Sequence, residues 1–90
     1  MLTSIRTGKF KKEFALIEKR GKNIDKLIDV MALLIYEQPL LPKHENHPLH
    51  GKHQGKWECH IEPDWLLIYR IDKTVGEITF YRTGSHSDLF

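Results

Sequence analysis

The stretch WECHIEPDWLLIYRI at 57–71 decides how the rest of the chain is read. Trp57, Cys59 and Ile61 alternate with Glu58, His60 and Glu62, the two-residue period of a half-buried strand. Pro63-Asp64 is a turn pair, because proline presets φ for the first turn position and aspartate suits turns. Trp65 to Ile71 is so apolar that both of its faces are expected to be covered, as in a central strand. The hairpin sets His60 and Asp64 within a few residues of each other, where a carboxylate can orient an imidazole and raise its pKa.

On the C-terminal side, Asp72 to Gly76 makes a turn and EITFYRT at 77–83 makes the last strand. Strict alternation would put Ile78, Phe80 and Arg82 on one face and Thr79 and Tyr81 on the other. Gly84 ends the strand, and the tail SHSDLF carries Leu89 and Phe90, apolar enough to dock. On the N-terminal side, KHENHPLHGKHQGK at 43–56 holds Pro48, Gly51 and Gly55 and reads as a loop.

The first forty residues are helical in pattern, after a short strand expected within Met1 to Arg6. From a Thr7 N-cap to Arg20, Phe10, Phe14 and Ile17 recur at helical steps. Gly21 fits the left-handed position after a helix, and Asn23 can cap the next one. That second helix carries Ile24, Leu27, Ile28, Met31, Leu34 and Ile35 as one wide stripe, and Pro39 and Pro42 lie beyond its end. Strand, helical hairpin and a three-stranded meander predict an α+β domain, an antiparallel sheet with the helices on one face.

Ninety residues supply one core and one domain, since a chain of this size buries about 60–65% of its unfolded surface. Composition is that of an ordinary globular protein, 40% hydrophobic and 29% charged. The single cysteine, Cys59, cannot make an internal disulfide, and with neither a signal-like leader nor an apolar run of spanning length the expectation is a cytoplasmic protein with no membrane partner. Net charge is only +2, yet Arg6 to Lys26 holds eight basic residues against three acidic ones. Such an excess either attracts a polyanion, nucleic acid above all, or is a solvated helix face.

His44, His47, His50 and His53 stand at three-residue intervals. On a helix they would share a face and suggest zinc, but Pro48 and Gly51 argue against a helix, and a structural zinc site usually draws on cysteine pairs. No metal and no cofactor are expected. Proton-moving groups nevertheless occur in three places: His47, then His60 with Asp64, then Arg82 with His86. RNA brings its own nucleophile, the 2′-OH, so its cleavage needs only a base, a cation for the crowded phosphorane and an acid for the departing 5′ oxygen. Histidine and arginine supply those services near neutral pH, and Trp65 or Phe90 could stack an unpaired base.

The words PLLPKHENHPLHG at 39–51, ECHIEPDWLLIYRI at 58–71 and RTGSHSDLF at 82–90, in that order, resemble the YafQ-like branch of the RelE/ParE superfamily of small bacterial toxins. The resemblance covers essentially the whole chain. It implies a RelE-like fold and a ribosome-dependent endoribonuclease, an mRNA interferase, held inactive by a cognate antitoxin. It further implies His86 as general acid, Arg82 as phosphate clamp, and His47, His60 and Asp64 as the base or as residues that orient it. Phe90 would help place the RNA, with Trp65 beside the site. Lys9, Lys11, Lys12, Lys19, Arg20 and Lys22 would face ribosomal RNA. The competing expectation is a ParE-like toxin that inhibits DNA gyrase by binding, on the same fold, without need of the histidine, aspartate and arginine set.

Overall fold

The computed structural model describes all residues from Met1 to Phe90. Strand β1 (Thr3–Arg6) leads into helices α1 (Gly8–Lys19) and α2 (Ile24–Ile35). A two-residue strand β2 (His47–Pro48) follows, set between two 3-10 turns at Pro42–His44 and Gly51–His53. Then come β3 (Trp57–Glu62), β4 (Trp65–Asp72), β5 (Glu77–Gly84) and a terminal helical turn, α3 (His86–Leu89). No helix is long and apolar enough to cross a membrane.

The five strands form one sheet in the order β1-β5-β4-β3-β2. The meander is antiparallel as expected, whereas β1 runs parallel to β5, because the chain crosses the sheet through the helical hairpin before returning beside its own start. The segment expected to be a plain loop supplies β2, where His47 pairs with Glu58 and Pro48 with Trp57. That short edge strand is what brings His47 to the sheet.

Both helices begin where their caps are. Thr7 Oγ1 accepts from Phe10 N at 3.0 Å and donates to Tyr81 O at 2.9 Å, so one hydroxyl starts α1 and ties it to β5. Asn23 caps α2, and Gly21 between the helices has φ +83°, open to glycine at no steric cost. The helices pack Phe10, Ile17, Leu27, Val30, Met31 and Leu34 against Cys59, Trp65, Leu67, Tyr69, Ile78 and Phe80. Phe10 lies 5.7 Å from Phe80, ring centre to ring centre, and its full burial contributes about 1.5–3 kcal/mol. Val30 is buried where the expected stripe had placed Ile28, which is 46% exposed.

Two irregularities decide what faces the other side of the sheet. Register shifts between His60 and Glu62 on β3, and again where Ile68 pairs with Arg82 but Tyr69 pairs with Phe80. Tyr81 is therefore an extra residue in β5, and strict alternation fails there. Arg82 is not on the face of Ile78 and Phe80; it stands across from Ile68 on the opposite face, and Thr83 takes the core-facing place. Leu66 and Ile68 are also buried there, so β4 is covered on both sides.

Candidate active site

The face opposite the helices carries a row of imidazoles. The His47 and His60 rings lie 6.3 Å apart, and the His60 and His86 rings 5.9 Å apart. His47 comes from β2, His60 from β3 and His86 from the start of α3, so three separate segments converge at one end of the sheet. Each is placed by local structure. His47 Nδ1 donates to Glu45 O at 2.7 Å, which leaves Nε2 turned to Glu58 Oε1 at 3.4 Å. Glu45 reaches that position through a left-handed backbone, φ +44°.

His60 does not pair with Asp64, as sequence proximity had suggested. Its Nε2 lies 3.7 Å from the same Glu58 oxygen, and its buried Nδ1 has no hydrogen-bond partner, with Glu45 Oε2 at 3.8 Å. The bulge after His60 and the turn beyond it carry Asp64 forward to the C-terminal tail instead. Asp64 Oδ1 accepts from His86 N at 2.9 Å and stands 2.6 Å from His86 Nδ1. The His86 amide, and then its ring, hold the Asp64 carboxyl below the ordinary aspartate range.

Glu58 is the site residue that sequence reading missed. It is buried, and a carboxylate takes that cost only when partners surround it. Its signal was present: Glu58 and His60 are two apart on one strand and so share the face opposite Cys59.

The tail that presents His86 is built as a rigid bracket. Ser85 Oγ accepts from Asp88 N at 3.2 Å, and Asp88 Oδ2 accepts from Ser85 N at 2.9 Å, a reciprocal cap on a helix of one turn. Arg20 Nη1 donates to Asp88 Oδ2 at 2.9 Å, which joins α1 to α3. That bond first, and the Ser85 amide next, hold the Asp88 carboxyl well below the usual range. Gly84 is required by close approach: a Cβ there would meet Asp88 Cβ at 2.9 Å.

Arg82 stands beside this bracket. Its Nε donates to Glu13 at 2.9 and 3.0 Å and its Nη2 to Glu13 Oε2 at 2.7 Å and to Asp88 O at 3.2 Å. Glu13 also accepts from Thr83 N at 3.3 Å, because β1 pairs no further than Phe80 and the β5 edge beyond it needs another partner. Its carboxylate raises the guanidinium pKa further. These bonds use Nε and Nη2, so Nη1 remains available to a phosphate oxygen.

The other sequence candidates divide. Trp65 is corrected: it is 2% exposed, packs in the core, and donates from Nε1 to Thr83 Oγ1 at 3.0 Å, so no base can stack on it. Phe90 is 62% exposed and meets His53 edge-on at 5.9 Å. Lys9, Lys11, Lys12 and Lys19 are exposed. Arg20 is committed to Asp88, while Lys22 and Lys26 both hold Glu62, at 3.1 and 2.9 Å. No three His, Cys, Asp or Glu side chains stand in the geometry of a metal site. A cavity of about 530 Å³ lies between the end of α2 and the sheet, lined by Leu34, Leu40, Trp57 and Tyr69, and none of the imidazoles or their partners borders it.

Comparison with known proteins places the whole chain in one family. Residues 2–90 match the family model described as the bacterial toxin of a type II toxin–antitoxin system, YafQ. The chain is 40% identical over 85 residues to the mRNA interferase toxin YafQ of Escherichia coli strain K12, covering 93% of this chain and 90% of that one. A metal-bound toxin from Helicobacter pylori superposes with a TM-score of 0.94 at 42% identity over 100% of both chains. The toxin in the E. coli DinJ-YafQ complex does so with a TM-score of 0.92 at 37% identity, over 100% of this chain and 99% of that one. The sheet and the helical hairpin belong to a known kind of molecule: the chain is a member of the YafQ family of type II toxins.

Proposed function

We propose that this toxin is an mRNA interferase that cuts messenger RNA on the ribosome by metal-free acid–base catalysis and is held inactive by a cognate antitoxin. The carrying observation is the separation of its proton-moving groups into two sets at one end of the sheet. On one side His47 and His60 share Glu58; on the other Asp64 grips His86. Arg82 adds a guanidinium with Nη1 uncommitted.

In the reaction, the base side takes the proton of the 2′-OH as that oxygen attacks the adjacent phosphorus. Either His47 or His60 serves, and Glu58 orients whichever accepts. Arg82 Nη1 binds a non-bridging oxygen as negative charge builds on the phosphorane. His86 gives its proton to the departing 5′ oxygen, with Asp64 fixing the ring. The products are a 2′,3′-cyclic phosphate and a 5′-hydroxyl. Asp64 thus moves from the base side, where its sequence position had put it, to the acid side.

Lys11, Lys12 and Lys19 of α1 supply an electrostatic surface for ribosomal RNA, and the antitoxin covers the site or this basic face. The test is cleavage of a defined mRNA in a purified assay, with and without ribosomes. The expected result is a ribosome-dependent cut by wild-type protein that is lost in His86→Ala. That variant recovers when the leaving oxygen is replaced by sulfur, which departs without an acid. Uncut message with wild-type protein, or His86→Ala activity that sulfur does not restore, overturns the reading.

A further inference from the structure

Beside the imidazole row, on the same face, lies a cavity of about 310 Å³ that the mechanism above does not use. Its walls include Lys9 from the first turn of α1, Lys56 from the segment before β3, Tyr81 and Arg82 from β5, Ile68 from β4 and Leu89 from α3. No carboxylate lines it. Lys56 Nζ sits 4.4 Å from the centre of the Tyr81 ring. The Tyr81 bulge creates this arrangement, because the extra residue turns Arg82 to the site face and presents the tyrosine beside it.

Position relative to the chemistry is set by register. Ile68 pairs with Glu58 on one side and with Arg82 on the other. Two strand spacings, about 10 Å, therefore separate the backbone of Glu58, whose carboxylate the histidines share, from the backbone of Arg82 at the cavity rim. A phosphate on Arg82 would have the imidazoles to one side and this cavity to the other. Three cations, one aromatic face and two aliphatic walls match a single nucleotide, which offers one charged group and one flat apolar one.

We propose that this cavity is a nucleotide subsite for the message strand, holding the residue next to the scissile phosphate. Lys9 and Lys56 take its phosphate, and its base lies against Tyr81 and Leu89. The assignment rests on the nuclease reading and deepens it: Tyr81 and Lys56 would set how the strand runs past Arg82.

The experiment measures binding of a fluorescent 2′-O-methyl oligoribonucleotide, which cannot react, by anisotropy at several salt concentrations. Thermal melts accompany each variant to establish that it folds. Lys9→Gln and Lys56→Gln are expected to weaken binding several-fold and to lower the salt slope by about one each. Tyr81→Leu is expected to weaken it about tenfold with the slope unchanged. Lys73→Gln, at the opposite end of the sheet, is expected to bind as wild type. Folded Lys9, Lys56 and Tyr81 variants that bind like Lys73→Gln would overturn the subsite. So would the absence of saturable binding by wild type, or a loss seen only in ribosome co-sedimentation, which would give the lysines to ribosomal RNA. Failure of the nuclease reading shows separately, as wild-type protein that binds the oligonucleotide but leaves message on ribosomes intact.

Discussion

Replacing Glu13 by glutamine isolates the bond that holds Arg82 in place. The two side chains are 15% and 25% exposed, so the pair is neither a solvated surface bridge nor fully buried. An exposed pair is worth about 0–1 kcal/mol, and breaking a buried one costs about 3–5 kcal/mol. Glutamine keeps one acceptor for Arg82 or Thr83 N but loses the charge, and charge-assisted bonds are about twice as strong as neutral ones. The expected loss is about 1–2 kcal/mol. For a domain of this size that lowers Tm by roughly 5–15 °C. Arg82→Gln should cost a similar amount, and because both substitutions break one interaction, the double variant should lose less than the sum of the two. The assay is thermal unfolding followed by circular dichroism for the four proteins of this cycle. Additive losses, or a Glu13→Gln melt that coincides with wild type, would refute the claim that Glu13 anchors Arg82.

Three further outcomes rest on the same contacts. Asp64→Asn should reduce kcat at least about tenfold by freeing the His86 ring, while Tm changes little because the pair is open to solvent and screened. Glu58→Gln should lower kcat and shift the acidic limb of the pH–rate profile, where the general base takes up its proton, whereas Lys73→Gln should do neither. Stability should fall in two stages on acidification. Burial, and then Lys43, hold the His44 pKa below its ordinary value, so its contribution is complete above about pH 6.5 and is lost as pH falls toward the folded value. Asp64, Glu62 and Asp88 are also depressed, so their contribution persists above about pH 4 and is lost below it. Melts at about pH 7.5 and 5.5 should differ less for His44→Gln than for wild type.

Much of the fold was legible because it follows from period and punctuation. Thr7, Gly21 and Asn23 mark helix ends by their own side-chain or backbone chemistry, and the apolar run at 65–71 announces a strand covered on both faces. What was not legible arises from contacts across long sequence separations. A bulge adds one residue to one strand only, so nothing in the alternation at 77–83 shows that Tyr81 reverses the parity of Arg82. Asp64 lies near His60 in the chain but meets His86, because the turn points along the sheet toward the tail. Trp65 sits one residue from Asp64 yet on the other face, which put it in the core. Glu13 and Arg82 have no local signal of each other, and their bond exists because α1 covers the end of β5 that β1 leaves open. Glu58, by contrast, could have been found by strand parity with His60.

The central claim is that the substrate supplies the nucleophile while His47, His60, Arg82 and His86 move protons and hold charge. One measurement tests it most directly: cleavage on ribosomes of a message carrying a single 2′-deoxy nucleotide on the 5′ side of the bond that wild-type toxin cuts. With the 2′-OH as nucleophile, the cut at that bond disappears while cuts elsewhere on the same message persist. A cut that survives at the deoxy position would mean that water or a protein group attacks the phosphorus, and would contradict it.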